Sequence, residues 1–395
     1  MAHRPVRALS VALLLSLAAC SPDVPATDAP SVRDSAGVAI VEASESVMAS
    51  IPEWEIETEM DLGGIDAAPE HQFHQVNGVR RLPDGRLVVV NSGSYQVRLF
   101  DPDGASVATV GREGEGPGEF LFPSGLAAYS PDSLLVLDRR GSRMTVLSSR
   151  LELGRTDRLE GGLANPSLAG VLPDGRIVVS NLELEVPEAP GVADQDVELL
   201  ILSRSGGTDS LVGRFRAQRV ALLEIGALGS VVFDPFTSFA VSGDRVWIGY
   251  GTDYELEQIG LNGQVQRIVR WSGPDRAVTE ADREEWKERQ MTLASTDEQR
   301  RQLQMYLDGA TFAEQRAAYQ VVMTSDEGDV WVQDRRPTIP RERLWLVFNP
   351  SGEPRATVRT GPSLRVFQVT GDRVVGVRTD ELDIEHVVVQ RIVRK

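Results

Sequence analysis

The chain is short of the residues that usually declare a chemistry. It has one cysteine and four histidines among 395 residues, so no disulfide can form within it and a thiolate- or imidazole-rich metal centre has few ligands to draw on. Basic residues are the minority: 41 Lys plus Arg stand against 58 Asp plus Glu, a formal charge of -17. A field of that sign repels nucleic acid and anionic membrane surfaces, and no nucleic-acid partner is expected. The apolar stretch Ala8 to Leu17 covers ten residues, too few to span a bilayer as a helix. A G-x-S-x-G nucleophile turn and a Gly-Lys-Ser or Gly-Lys-Thr phosphate loop are both missing.

What is present begins with a leader. MAHRPVRALSVALLLSLAAC places Arg4 and Arg7 before the apolar stretch and small residues before Cys20, the order of a secretory signal. Leu17-Ala18-Ala19-Cys20 resembles the lipobox of bacterial lipoproteins. That resemblance implies removal of residues 1–19 and lipid on the thiol and amine of Cys20. With Ser21 rather than Asp next, it also implies the bacterial outer membrane; the anchor fixes attachment and not the side, and the expected side is the periplasm. An ordinary signal with a coincidental cysteine is the alternative. Residues 20–37, rich in Pro, Ser, Asp and Ala, read as a lipidated flexible tether.

Beyond residue 37 the chain repeats itself. LPDGRLVVVNSG from Leu82 returns ninety residues later as LPDGRIVVSNLE from Leu172. Weaker copies start at Ser130, Val241, Ser325 and Thr370, which makes six. Each pairs a polar turn with a Val-, Ile-, Leu- or Trp-rich strand, and several continue through a second hairpin such as FDPDG or FNPSG. Where nothing intervenes the spacing is about 40 to 50 residues, that of four-stranded blades set around an axis.

The expected fold class is therefore all-β: a six-bladed β-propeller over residues 38–395, with a short helical insertion at 279–320 between blades four and five. Thr279 before Asp282, Ser295 before Glu298 and Thr311 before Glu314 place a capping hydroxyl three residues ahead of an acid and predict short helices there. Trp54 to Asp61 is the better candidate for an N-terminal strand that completes the last blade. Two stacked sandwich domains would also alternate, but would not produce six similar turns at this spacing.

DSAGVAIVEA, a W-x-I strand, LPDGRLVVVNSGSYQVRLFDPDG and GREGEGPGEF, in that order, resemble bacterial six-bladed propeller lipoproteins of the broad NHL-like kind. The resemblance implies a fold and no single activity, since such rings serve as binding modules, scaffolds and, in fewer cases, hydrolases or lyases. The expected function is a lipid-anchored, non-enzymatic module that binds an envelope protein, peptide or glycan, with membrane lipid as its other partner through Cys20. The alternative is a metal-dependent hydrolase or lyase with an acid-lined central channel. No cofactor is predicted; a calcium or other divalent ion in the channel would belong to that alternative.

Individual residues say less. GREGEGPGEF fails G-x-G-x-x-G because Glu119 stands at the last glycine position, and it reads as a crossing between blades. His71 and His74 form H-x-x-H without the glutamate and helix of a zinc motif. Asp101-x-Asp103-Gly104 matches only a fragment of a calcium loop. Asp138 and Asp334, each followed by Arg-Arg at a strand end, are general-base candidates or charge partners of their own turns. The helical insertion is the non-repeating surface, and its Trp286, Tyr306 and Phe312 mark the candidate ligand-binding region.

Overall fold

The repeated turn folds as its residues dictate. In LPDGR, Asp84 accepts from the backbone N–H of Arg86 at 3.2 Å and from its Nε at 2.7 Å, Leu82 N–H donates to Arg86 O, and Gly85 takes φ +93°. Asp174, Arg176, Leu172 and Gly175, at φ +82°, repeat the arrangement. The positive φ is what requires glycine here. The turn delivers the chain into a strand buried almost throughout, Leu87–Asn91 in one copy and Ile177–Leu182 in the other.

The computed structural model describes residues 29–334 and 342–394, so Cys20 and the rest of the leader lie outside the described residues. Each turn joins the first two strands of an antiparallel meander. Val76–Arg81, Leu87–Asn91, Gln96–Phe100 and Ser106–Val110 form one, and Pro123–Ser130, Ser133–Asp138, Arg143–Ser148 and Leu153–Arg158 the next. Pro166–Val171, Ile177–Leu182, Gly191–Leu202 and Thr208–Leu222 follow, extended by Leu228–Ser230. Ser238–Ser242, Arg245–Gly249, Glu255–Gly260 and Val265–Trp271 gain a parallel neighbour, Val38–Ala43, and beyond it Ser31–Ser35. The stretch expected to be tether up to residue 37 thus contains a paired strand, because Asp34 Oδ1 accepts from Gly37 N–H at 3.1 Å and turns the chain back.

Tyr319–Thr324, Val330–Asp334, Arg343–Phe348 and Pro354–Thr360 lead to Arg365–Val369, Arg373–Thr379 and Glu385–Val393. The strand Glu53–Gly63 lies antiparallel to Glu385–Val393 and touches Pro354–Thr360 in parallel. It alternates, as the edge of a sheet should. On its acidic side, Glu53, Glu57, Glu59 and Asp61 pair with Arg359, Arg391, Arg373 and Arg378 at 2.5–3.0 Å. On the other, Trp54 packs into the apolar cluster of Trp331, Trp345 and Val358.

The first strands of the meanders meet side by side around a channel. A Cβ on Gly78 would stand 2.8 Å from Leu126 Cβ, one on Gly125 3.0 Å from Leu168 Cβ, and one on Gly170 2.6 Å from Val241 Cβ. Thr324 Oγ1 donates to Val241 O at 2.8 Å, Asp326 N–H donates to Val369 O at 3.0 Å, and Gln368 Oε1 accepts from Arg81 N–H at 2.7 Å. The last contact returns to the first strand. The architecture is all-β and propeller-like, made of several antiparallel sheets together with two twelve-residue helices, Glu280–Met291 and Asp297–Asp308.

The helix caps differ in part from their sequence expectation. Thr279 and Asp282 form the capping box of the first helix, but the second is capped by Thr296 with Gln299, one residue later than Ser295 with Glu298. No helix follows Thr311. Val232 N–H donates to Thr311 O and Ala313 N–H to Val232 O, so this stretch is held extended against a neighbouring loop.

Close approach at the inner strands makes a direct prediction. Gly170→Ala should destabilise the fold by about 1–3 kcal/mol, the usual cost of forcing a carbon into a filled site, whereas Gly361→Ala, with open space around it, should leave it unchanged. Urea unfolding of both variants against wild type checks this.

Candidate functional site

The glycine-rich crossing is built inward. Glu119 turns back on its own loop: Oε2 accepts from Gly116 N–H at 2.8 Å and Oε1 from Arg112 Nε at 2.7 Å. The amide and the guanidinium together hold its carboxyl below the usual range. Arg143 reaches the loop from beneath, donating to Glu115 O at 2.5 Å and Gly114 O at 2.6 Å. The Gly114, Gly116, Glu119 and Phe120 amides are thus already occupied by protein.

Asp138 belongs to the same scaffold. It is fully buried and accepts from Leu121 N–H at 2.9 Å, Phe122 N–H at 2.8 Å, Gly141 N–H at 3.1 Å and Arg143 Nε at 3.0 Å. A carboxylate so enclosed is a clamp, and of its two sequence readings the charge partner fits. Asn91 and Asn181 occupy the same place in their meanders, accepting from His74 N–H at 2.8 Å and Asn165 N–H at 3.1 Å. Asp334 likewise ends its strand and has an interaction partner.

The other sequence candidates do not converge. His71 Nε2 lies 2.8 Å from Gly104 O, while His74 is exposed. His386 sits between Asp61, 2.8 Å from Nδ1, and Asp380, 3.3 Å from Nε2. Asp101 Oδ1 accepts from Asp103 and Ala105 N–H at 3.0 and 2.8 Å, an ordinary Asx turn. Among the described residues no three His, Cys, Asp or Glu side chains gather as a metal-holding group.

The channel is a cavity of about 610 Å³ whose wall mixes small and apolar residues, among them Gly78, Gly125, Gly170 and Ala240, with polar ones such as Asn77, Ser124 and Thr324. Asp326 is the one carboxylate in this lining among the described residues. Its Oδ1 accepts from Arg80 Nη2 at 3.1 Å and its Oδ2 from Gln368 Nε2 at 2.9 Å. The alternative reading placed several acids in this channel; among the described residues its lining holds this one carboxylate, already paired, where closely set inner strands leave room for glycine and alanine.

Charged side chains gather at the channel mouth. A cavity of about 640 Å³ there is lined by Arg80, Arg81, Asp326, Glu327 and Arg394, with Leu82 and Leu134 as apolar wall. Arg394 donates to Gly371 O and covers the Trp54 ring at 4.6 Å. Arg81 and Glu327 have no ion-pair partner among the described residues. Sequence reasoning missed this set, since Arg81 and Glu327 stand either side of turns that looked purely structural and lie far apart in the chain.

The predicted ligand region is partly assembled. Trp286 and Tyr306 line one cavity of about 380 Å³ beside Phe233 and Phe236. Phe312 stands behind it, edge-on to Trp286 with ring centroids 5.5 Å apart.

No family model and no curated protein matches the chain. Several solved structures are similar to it. A putative exported protein from Bacteroides fragilis is 12% identical over 90% of this chain and 100% of its own, with a TM-score of 0.48. Virginiamycin B lyase from Staphylococcus aureus gives 9%, 87%, 100% and 0.43, and a gluconolactonase from Xanthomonas campestris 13%, 91%, 94% and 0.42. The expectation of a non-enzymatic, NHL-like binding module is corrected: the proteins named among these similar structures are a lyase and a lactonase. The likeness concerns the fold alone, a multi-sheet, propeller-like all-β architecture; it places no residue of a site. Among the described residues no helix is long and apolar enough to cross a membrane.

Asp138→Asn should lower stability by about 3–5 kcal/mol, because it leaves the buried Arg143 guanidinium without its counter-charge. Thermal unfolding, with limited proteolysis of the Gly111–Phe122 loop, measures the loss.

Proposed function

We propose that this chain is an exported six-bladed propeller enzyme, a hydrolase or lyase acting on a small anionic substrate at the channel mouth. The supporting observation is the mouth itself, where an unpaired carboxylate and an unpaired guanidinium line one cavity. Asp326 is locked by Arg80 and Gln368, so Glu327 is the free base. It takes a proton from water in a hydrolysis, or from carbon in an elimination. Arg81, with Arg394 beside it, holds the anionic group through charge-assisted hydrogen bonds and fixes the reacting atom near that base.

In this reading the six first strands are the inner strands of six blades, and residues 279–320 are an insertion between the fourth and fifth. The attachment of the chain is a separate matter. Cleavage before Cys20 and lipid on its thiol and amine would hold the enzyme on the periplasmic side of the outer membrane. Cys20→Ala should release it from the membrane fraction, and full retention would reject the anchor.

The reaction is tested with purified full chain on a panel of carboxylate-bearing esters and lactones, together with an elimination substrate read by new ultraviolet absorbance. Glu327→Gln should lower kcat at least about 100-fold, in the usual range for a general base. Arg81→Ala should mainly raise KM. Unchanged turnover in Glu327→Gln, or none by wild type on the whole panel, rejects the reading.

A further inference from the structure

The helical segment closes a second cavity, away from the mouth. It lies where the chain enters the strand Ser238–Ser242, whereas the mouth lies where the first strands run out into their turns. Its walls are Phe233, Phe236, Trp286 and Tyr306, and its polar lining includes Arg219 and Asp234. We propose that it binds the ring of a neutral carbohydrate.

The walls suit such a ring. Sugar C–H faces pack on aromatic faces, and Tyr and Trp add a polar tip to the apolar surface. Phe236 is 42% exposed at the rim, an apolar face left for a ligand to cover. The polar side is charge-balanced: Asp234 accepts from Arg219 N–H at 3.0 Å, Nε at 2.8 Å and Nη2 at 2.5 Å. An anion or a cation would meet a group already neutralised, while sugar hydroxyls can bond the exposed Ser230 hydroxyl and the half-buried Gln218 amide, which line the same cavity. A volume of about 380 Å³ is at the small end of ligand pockets.

The site is also held ready. Phe233 is a bulky residue at φ +65°, a left-handed conformation that persists only where the surroundings impose it. They do so here. The Arg316 guanidinium lies 4.2 Å over the Phe233 ring, Arg316 pairs with Asp282 of the first helix at 2.6 Å, and Ala317 N–H donates to Phe233 O at 3.1 Å. Holding an aromatic wall in place beforehand removes an ordering cost from binding.

Trp286 makes the test direct, because the other five tryptophans are buried. Purified full chain is titrated with glucose, N-acetylglucosamine, maltose and cellobiose while tryptophan emission and saturation-transfer NMR are recorded. At least one sugar should shift the emission. Trp286→Phe should abolish the emission change, and Trp286→Phe and Tyr306→Phe should each weaken the NMR-detected binding about tenfold with unchanged Tm. Glu327→Gln should bind as wild type does, which separates this site from the mouth. No response to any of the four sugars, or glucuronate or glucosamine binding as tightly as glucose, overturns the proposal.

Discussion

The pairing of Glu53–Gly63 with Glu385–Val393 is the contact on which the architecture rests. Without it the last meander ends at its third strand and presents a bare row of amides and carbonyls. With it, the first and last parts of the chain share one sheet, and the parallel contact to Pro354–Thr360 fastens the preceding meander to the same strand. The arginine pairs along its acidic side are half exposed and individually weak. Their value is in register: a slip of one residue would turn the acids inward and Trp54 outward.

Closure and channel are two sides of one constraint. Drawing the first strands together demands glycine or alanine where neighbours touch, as at Gly78, Gly125 and Gly170. Residues that small leave a channel wall with little functional chemistry. Reactive side chains can be placed only where the strands diverge, at the turns of one end and at the loops and helices of the other. The mouth carries free charge, whereas the cavity by the helices carries aromatic faces and paired charge.

Much of this was legible in the residues. The two LPDGR copies foretold the turn and its glycine, Trp54 to Asp61 lies within the strand that pairs with the last one, and Trp247, Trp331 and Trp345 are buried in strands. The caps were less so. Ser295 and Thr296 are adjacent hydroxyls that both satisfy the spacing rule, and local geometry chose the second. Thr311 satisfied it too, but long-range bonds to Val232 took the segment first. The site was hidden for another reason. Arg80, Gln368 and Asp326 belong to three different meanders, and nothing local in a sequence reports which turns face one another across a ring.

The closing strand also sets an order of events. Asp61 and His386, which hydrogen-bond across it, are 325 residues apart, so the N-terminal strand must wait for the last one before either edge is covered. A chain folding from its N-terminus would spend that interval with two unsatisfied sheet edges, open to pairing with other chains. The charged row on Glu53–Gly63 is then a safeguard during folding: until the arginines arrive, its acids repel other copies of itself and keep the edge single.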